Sequence, residues 1–98
     1  MKIETGEVVT VILQNPREKI WGVLREINSS GVFVRGLDLN SFEDFVRAVG
    51  GGEIFYGFDE QFFPLWRVEK IVRDDPNGDV PALRELFEQR TNRQIIEF

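Results

Sequence analysis

Lys19-Ile-Trp-Gly-Val-Leu-Arg-Glu-Ile-Asn28, Ser29-Ser-Gly31 and Val32-Phe-Val-Arg-Gly-Leu37 follow one another without a break. Two β-rich runs flank an Asn-Ser-Ser-Gly turn, which is the pattern of a hairpin. Gly22 lies inside the first run. A glycine there weakens a strand and often marks a bulge or sharp bend, so we read Gly22 as the hinge of a strongly curved strand rather than as a tolerated surface glycine. Upstream, Glu7-Val-Val-Thr-Val-Ile-Leu-Gln14 is β-branched and bounded by Gly6 and by Asn15-Pro16. It reads as a strand with apolar groups on both faces, as in a strand buried on both sides or meeting a partner.

Downstream the period changes. Phe42, Phe45, Val46 and Val49 fall on one helical stripe between Asn40 and Gly50. Asn40 with Glu43, or Ser41 with Asp44, fits a capping box, and Gly50-Gly-Gly52 ends the helix. Its polar face holds Glu43, Asp44 and Arg47 and is not basic, so it reads as a helix laid over a strand layer rather than on a membrane surface. Glu53–Phe58 and Phe62–Val72 read as the fourth and fifth strands, separated by Asp59-Glu-Gln61. Pro64 has no N–H to donate, so it belongs at an edge or at the junction before the last strand. Asp74–Asp79 is a Pro- and Gly-containing turn, and Val80–Arg90 a second helix capped by Asp79 with Pro81 in its first turn. Ile95, Ile96 and Phe98 suit a short docking tail. The prediction is one domain over residues 1–98, mainly β with two short helices. A five-stranded, strongly bent antiparallel barrel covers about 6–73, with a helix inserted between the third and fourth strands and a C-terminal helix and tail over about 79–98.

Composition narrows the chemistry. The 98 residues carry 17 acids and 12 bases, a formal charge of −5, which opposes a broad phosphate-binding face. Cys and His are both absent, which removes thiolate chemistry, the commonest general base and the commonest metal ligand. No apolar run approaches the roughly 20 residues of a membrane span, and Met1–Glu7 is too polar for a signal peptide, so a cytoplasmic chain without membrane partners is expected.

The order of elements resembles the Sm-like fold, the bent five-stranded barrel of Sm, LSm and bacterial host-factor proteins. The resemblance rests on Val9-x-Val11-x-Leu13, on Gly22-x-Leu24-x-x-Ile27-Asn28, on Val32–Val34 and on Trp66-Arg-Val-Glu-Lys-Ile71. It covers about residues 6–73. It implies a homo-oligomeric ring in which the fourth strand of one subunit pairs with the fifth strand of the next. Phe55, Tyr56, Phe58, Phe62, Phe63 and Trp66 crowd those two strands, and we assign Phe55, Phe58, Phe62, Phe63, Trp66 and Val68 to the subunit interface. The family's RNA-contacting groups are replaced: Asn28 stands for its Asp, Ser30 for its stacking side chain, Val32 for its base-reading Asn, and Pro64-Leu65-Trp66 for its cationic signature. Stacking and positive charge carry single-stranded RNA binding, so the ring-lumen site loses the groups it depends on.

Other chemistry is thin. Counted from Asp75, an EF-hand would need Gly and Glu where Val80 and Leu86 stand, so Asp74–Asp79 reads as a solvated turn. Gly50-Gly-Gly52 lacks a following Lys-Ser or Lys-Thr and is no phosphate loop. No carboxylate or serine sits in a catalytic motif, so the chain is expected not to be an enzyme and to need no cofactor or metal. Arg17, Lys19, Arg25 and Arg35, with Trp21 interleaved, could gather as a small RNA patch. The simpler reading is ordinary surface charges paired with Glu18 and Glu26. The expected function is a non-enzymatic oligomeric scaffold or binding module. RNA binding by a non-standard surface is one alternative, and an acidic protein-interaction domain the other; DNA is not an expected partner.

Overall fold

β1 (Val8–Leu13), β2 (Glu18–Ile27) and β3 (Gly31–Asp38) form an antiparallel meander. The computed structural model describes residues 2–98. After β3 come a 3₁₀ turn (Leu39–Ser41) and α1 (Phe42–Gly50), then β4 (Asp59–Pro64), a second 3₁₀ turn (Leu65–Arg67), β5 (Val68–Arg73), α2 (Leu83–Thr91) and a 3₁₀ tail (Ile95–Glu97). The strands make one sheet in the order β4-β3-β2-β1-β5, and every neighbouring pair is antiparallel. β4 and β5 are its two edges and do not pair with each other, so hydrogen bonds within one chain do not close the sheet.

The sheet is apolar on both faces, as its unbroken runs require. Val9, Val11 and Leu13 of β1, Ile20 and Leu24 of β2, and Val32 and Val34 of β3 form an inner cluster. Phe63 of β4 and Val68 and Ile71 of β5 extend it to both edges. On the opposite face Trp21 and Leu37 meet Phe42, Phe45 and Val46 of α1, Phe58, Phe87 of α2 and Ile95 of the tail. Phe45 is the hub: its ring lies 5.1 Å from Phe58, 5.2 Å from Phe87, 5.3 Å from Phe55 and 5.7 Å from Phe98. Each such pair adds about 0.5–1.5 kcal/mol beyond simple burial.

Several local expectations are corrected. Glu53–Phe58 is a loop, not a strand, and Asp59-Glu-Gln61 opens β4 instead of separating two strands. The reason is pairing. Gly31–Gly36 of β3 takes Asp59–Pro64 as its partner, while Phe55 and Phe58 turn into the aromatic cluster beneath α1. The bulge in β2 lies between Leu24 and Glu26 rather than at Gly22. Gly22 is needed for close approach: a Cβ there would sit 2.2 Å from the Arg35 carbonyl oxygen, and one on its partner Gly36 would sit 2.2 Å from that of Trp21. Neither capping box forms at α1, where Ser41 makes no side-chain cap; Asp38 instead caps the preceding 3₁₀ turn, accepting from the Asn40 N–H at 2.8 Å, and Asp74 rather than Asp79 caps α2.

Candidate functional site

The free edges are the part of the molecule whose backbone polar groups have no strand beside them. In an antiparallel pair, residues alternate between turning both backbone groups toward the partner and turning them away. Asn28 and Gly31 exchange both hydrogen bonds, at 3.0 and 3.2 Å, so Gly31 faces β2 and Val32 faces β4. Phe63, opposite Val32, therefore faces β3. The Leu65 N–H, which donates to the Ser30 oxygen at 3.1 Å, keeps the same alternation. Glu60, Phe62 and Pro64 are left with their backbone groups directed away from the sheet, and Pro64 has only a carbonyl to offer. On β5 the Asp74 N–H donates to the Val8 oxygen at 3.0 Å. Val72 and Lys70 therefore face β1, and Ile71 and Arg73 face outward.

The side chains along these edges are apolar and oppositely charged. Phe62 is 44 % exposed, with its ring 4.8 Å from Phe33 on the helix-side face. Leu65 and Trp66 occupy the turn between the edges, and Trp66 is 64 % exposed. β4 carries Asp59 and Glu60, whereas β5 carries Lys70 and Arg73 beside Glu69, which pairs with Arg17. Glu60 accepts from Arg25 at 3.2 Å and lies 3.8 Å from Arg35. Arg73 pairs with Glu7, and this hydrogen bond, aided by the Glu4 N–H, holds the Glu7 carboxyl below its ordinary value. Among the described residues Asp59 and Lys70 belong to no ion pair.

The residues assigned to the interface divide by position. Phe62 and Trp66 are exposed at the edges, Phe63 and Val68 are half-buried where the inner cluster reaches them, and Phe55 and Phe58 pack under α1. The five residues of the basic patch are not brought together. Trp21 is fully buried and donates its indole N–H to Asp74 at 3.1 Å, so it offers no stacking platform. Arg17 pairs with Glu69 at 3.0 Å on β5, and Lys19 is exposed beside it along a shallow cleft that also includes Asp38 and Asn40. Arg25 is held by Glu60, and Arg35 donates to the Phe98 oxygen at 3.0 Å over the Phe58 ring.

Asp74 is the residue that sequence reasoning misplaced. It is the one buried charged side chain among the described residues. Its carboxylate accepts from Trp21 Nε1 at 3.1 Å, from the Leu83 N–H at 2.9 Å and from the Arg84 N–H at 2.8 Å. Its own carbonyl receives Arg84 Nη1 at 2.7 Å. All these contacts fasten α2 to β2, so the role is structural. The only signal for it was position, directly after an apolar strand and a few residues before a helix start without a capping side chain of its own. Among the described residues no three His, Cys, Asp or Glu side chains group as a metal site would need. An apolar groove of ≈ 270 Å³ between α1, the 53–58 loop and Phe98 includes Arg35 and Glu53, and falls below the usual range for a small-molecule site. No described helix is long and apolar enough to cross a membrane. Compared with known proteins, the chain matches no family model, no curated protein and no solved structure.

Proposed function

We propose that the chain is a non-catalytic, Sm-like module that assembles with copies of itself, the β4 edge of one copy joining the β5 edge of the next, and acts as an oligomeric scaffold. The observation that carries this reading is the relation between the two edges. With four antiparallel junctions in the order β4-β3-β2-β1-β5, β4 and β5 run in the same direction. They are joined by only three residues, Leu65–Arg67. Parallel pairing of consecutive strands needs a crossover of a dozen or more residues, so the chain cannot seal its own edges. Meanwhile the inner apolar cluster runs out to both edges through Phe63, Val68 and Ile71. A head-to-tail array of copies satisfies the backbone and covers that apolar rim at once, and closes as a ring when the rotation between copies allows.

Native mass measurement at tens of micromolar tests the reading. The expected result is a discrete closed oligomer; a strict monomer refutes it. Phe62→Glu places a charge on the β4 edge without entering either core, and should yield a folded monomer by circular dichroism. The RNA alternative is not favoured by the placement of its residues, since Trp21 is internal and Arg17, Arg25 and Arg35 are already engaged with protein oxygens.

A further inference from the structure

Assembly through two edges leaves open which residue meets which. Resting on the self-assembly proposed above, we infer that β4 of one copy pairs antiparallel with β5 of the next in one register, with Glu60 opposite Arg73 and Phe62 opposite Ile71 of the neighbouring copy. Backbone bonds form across the seam only where outward-facing residues meet outward-facing residues. On β4 these are Glu60, Phe62 and Pro64; on β5 they are Ile71 and Arg73, with Glu69 following at the bulge opposite Ile12 and Leu13. The allowed registers therefore differ by steps of two residues. The proposed one sets an acid against a base, an exposed phenyl ring against an isoleucine, and Pro64 at the end of the ladder, where its missing N–H forfeits a single bond. Moving β5 two residues one way puts Phe62 against Glu69 and Glu60 against Ile71. Moving it the other way puts Phe62 against Arg73 and runs Glu60 off the end of the strand.

The faces of the paired residues agree with the same join. β4 and β5 run in the same direction within one sheet, so an antiparallel seam requires the neighbouring copy to be turned over. Its inner face then continues the helix-side face of the first copy. Phe62 lies on the helix-side face with Phe33, and Ile71 on the inner face with Val11. The pair picked out by backbone alternation thus consists of one residue from each face, as a turned-over neighbour demands. Between these positions Gln61 comes opposite Val72, and Phe63 opposite Lys70. The Lys70 stem can cover the Phe63 ring and its ammonium, without an ion pair among the described residues, can lie beside it.

The chain has no cysteine, so cross-linking reads the register cleanly. Gln61 and Val72 would form a non-hydrogen-bonded opposite pair with Cα atoms about 4.5 Å apart, which suits a disulfide. Gln61→Cys and Val72→Cys chains, co-expressed and mildly oxidised, should give a covalent heterodimer on a non-reducing gel. Gln61→Cys with Lys70→Cys should give much less. Native mass of each mixture is measured alongside. Oligomers in which the 61–70 pair links better than the 61–72 pair overturn this register and leave the assembly standing. Monomeric wild-type protein overturns the assembly and the register together.

Discussion

Removing the Asp74 carboxylate should cost more stability than any other single surface-to-core polar change in this chain. Asp74→Ala leaves three N–H groups without their acceptor: Trp21 Nε1, fully buried, and the Leu83 and Arg84 N–H groups at the start of α2. Losing the acceptor at a helix start costs about 1 kcal/mol. Leaving a buried indole N–H unpaired costs about 1–3 kcal/mol more. The sum is about 3 kcal/mol, a large share of the 5–15 kcal/mol typical of a domain. At about 4–8 °C per kcal/mol for a domain near this size, the midpoint should fall by about 12–24 °C. Asp74→Asn should fall between, because one oxygen can still serve Trp21 and Arg84 while its amide faces the Leu83 N–H. Urea melts followed by circular dichroism give both values, and in a Trp66→Phe background the fluorescence of Trp21 reports locally whether α2 has lifted from β2. An Asp74→Ala variant within about 0.5 kcal/mol of the parent, the usual range for an unimportant surface change, would refute the anchoring role.

Gly22→Ala should destabilise by about 1–3 kcal/mol, because its Cβ would meet the Arg35 carbonyl at 2.2 Å and backbone must move; thermal melts check this, and Gly36→Ala should behave alike. Gly52→Ala, with open space around it but a positive φ of 74°, should cost less. Glu7 has a lowered pKa in the fold, so the stability from its Arg73 pair is present above its unfolded value, near 4.3, and is lost as pH falls through the folded value. Melts from pH 7 to pH 3 should therefore decline less steeply for Glu7→Gln than for the parent. Phe98→Ala should lower the midpoint through lost contact with the Phe45 and Phe87 rings, measurable by calorimetry.

Legibility in the sequence tracked how locally each feature is determined. β1, β2 and β3 agree with the sequence reading to within a residue or so at each end, since β-branched runs stop at Asn15-Pro16, Asn28–Ser30 and Leu39. The α1 stripe was equally plain, because Phe42, Phe45 and Val46 point one way at any helix-compatible register. The fourth strand was not legible. Ile54-Phe-Tyr-Gly-Phe58 has the better β composition, yet Asp59–Pro64 is the segment that finds a partner. An edge strand with one side in water tolerates Asp59, Glu60 and Gln61, so composition understates it. The RNA-patch alternative needs Trp21 exposed beside Lys19 and Arg25, yet Ile20–Leu24 is apolar without alternation and so is buried on both faces. The caps were missed for a related reason: Asp38 and Asp74 act from before the turn, and Asp74 reaches its donors only after β5 has been laid against β1.

The same edge residues that obscured β4 bear on what the edges do. An exposed strand end with only apolar side chains would accept many partners, and proteins commonly suppress this with charge and proline. Here Asp59 and Glu60 stand on one edge, Glu69, Lys70 and Arg73 on the other, and Pro64 limits the length of the β4 ladder. Two β4 strands set side by side bring acids near one another, whereas β5 carries Glu69 beside Lys70 and Arg73, so two β5 strands meet with mixed charge. In the proposed assembly Glu60 meets Arg73 at the one offset that also brings Phe62 to Ile71. In the proposed assembly, features that protect an edge against indiscriminate association also favour one contact between unlike edges of separate copies, and such selectivity is what an ordered closed array needs over open-ended strand stacking.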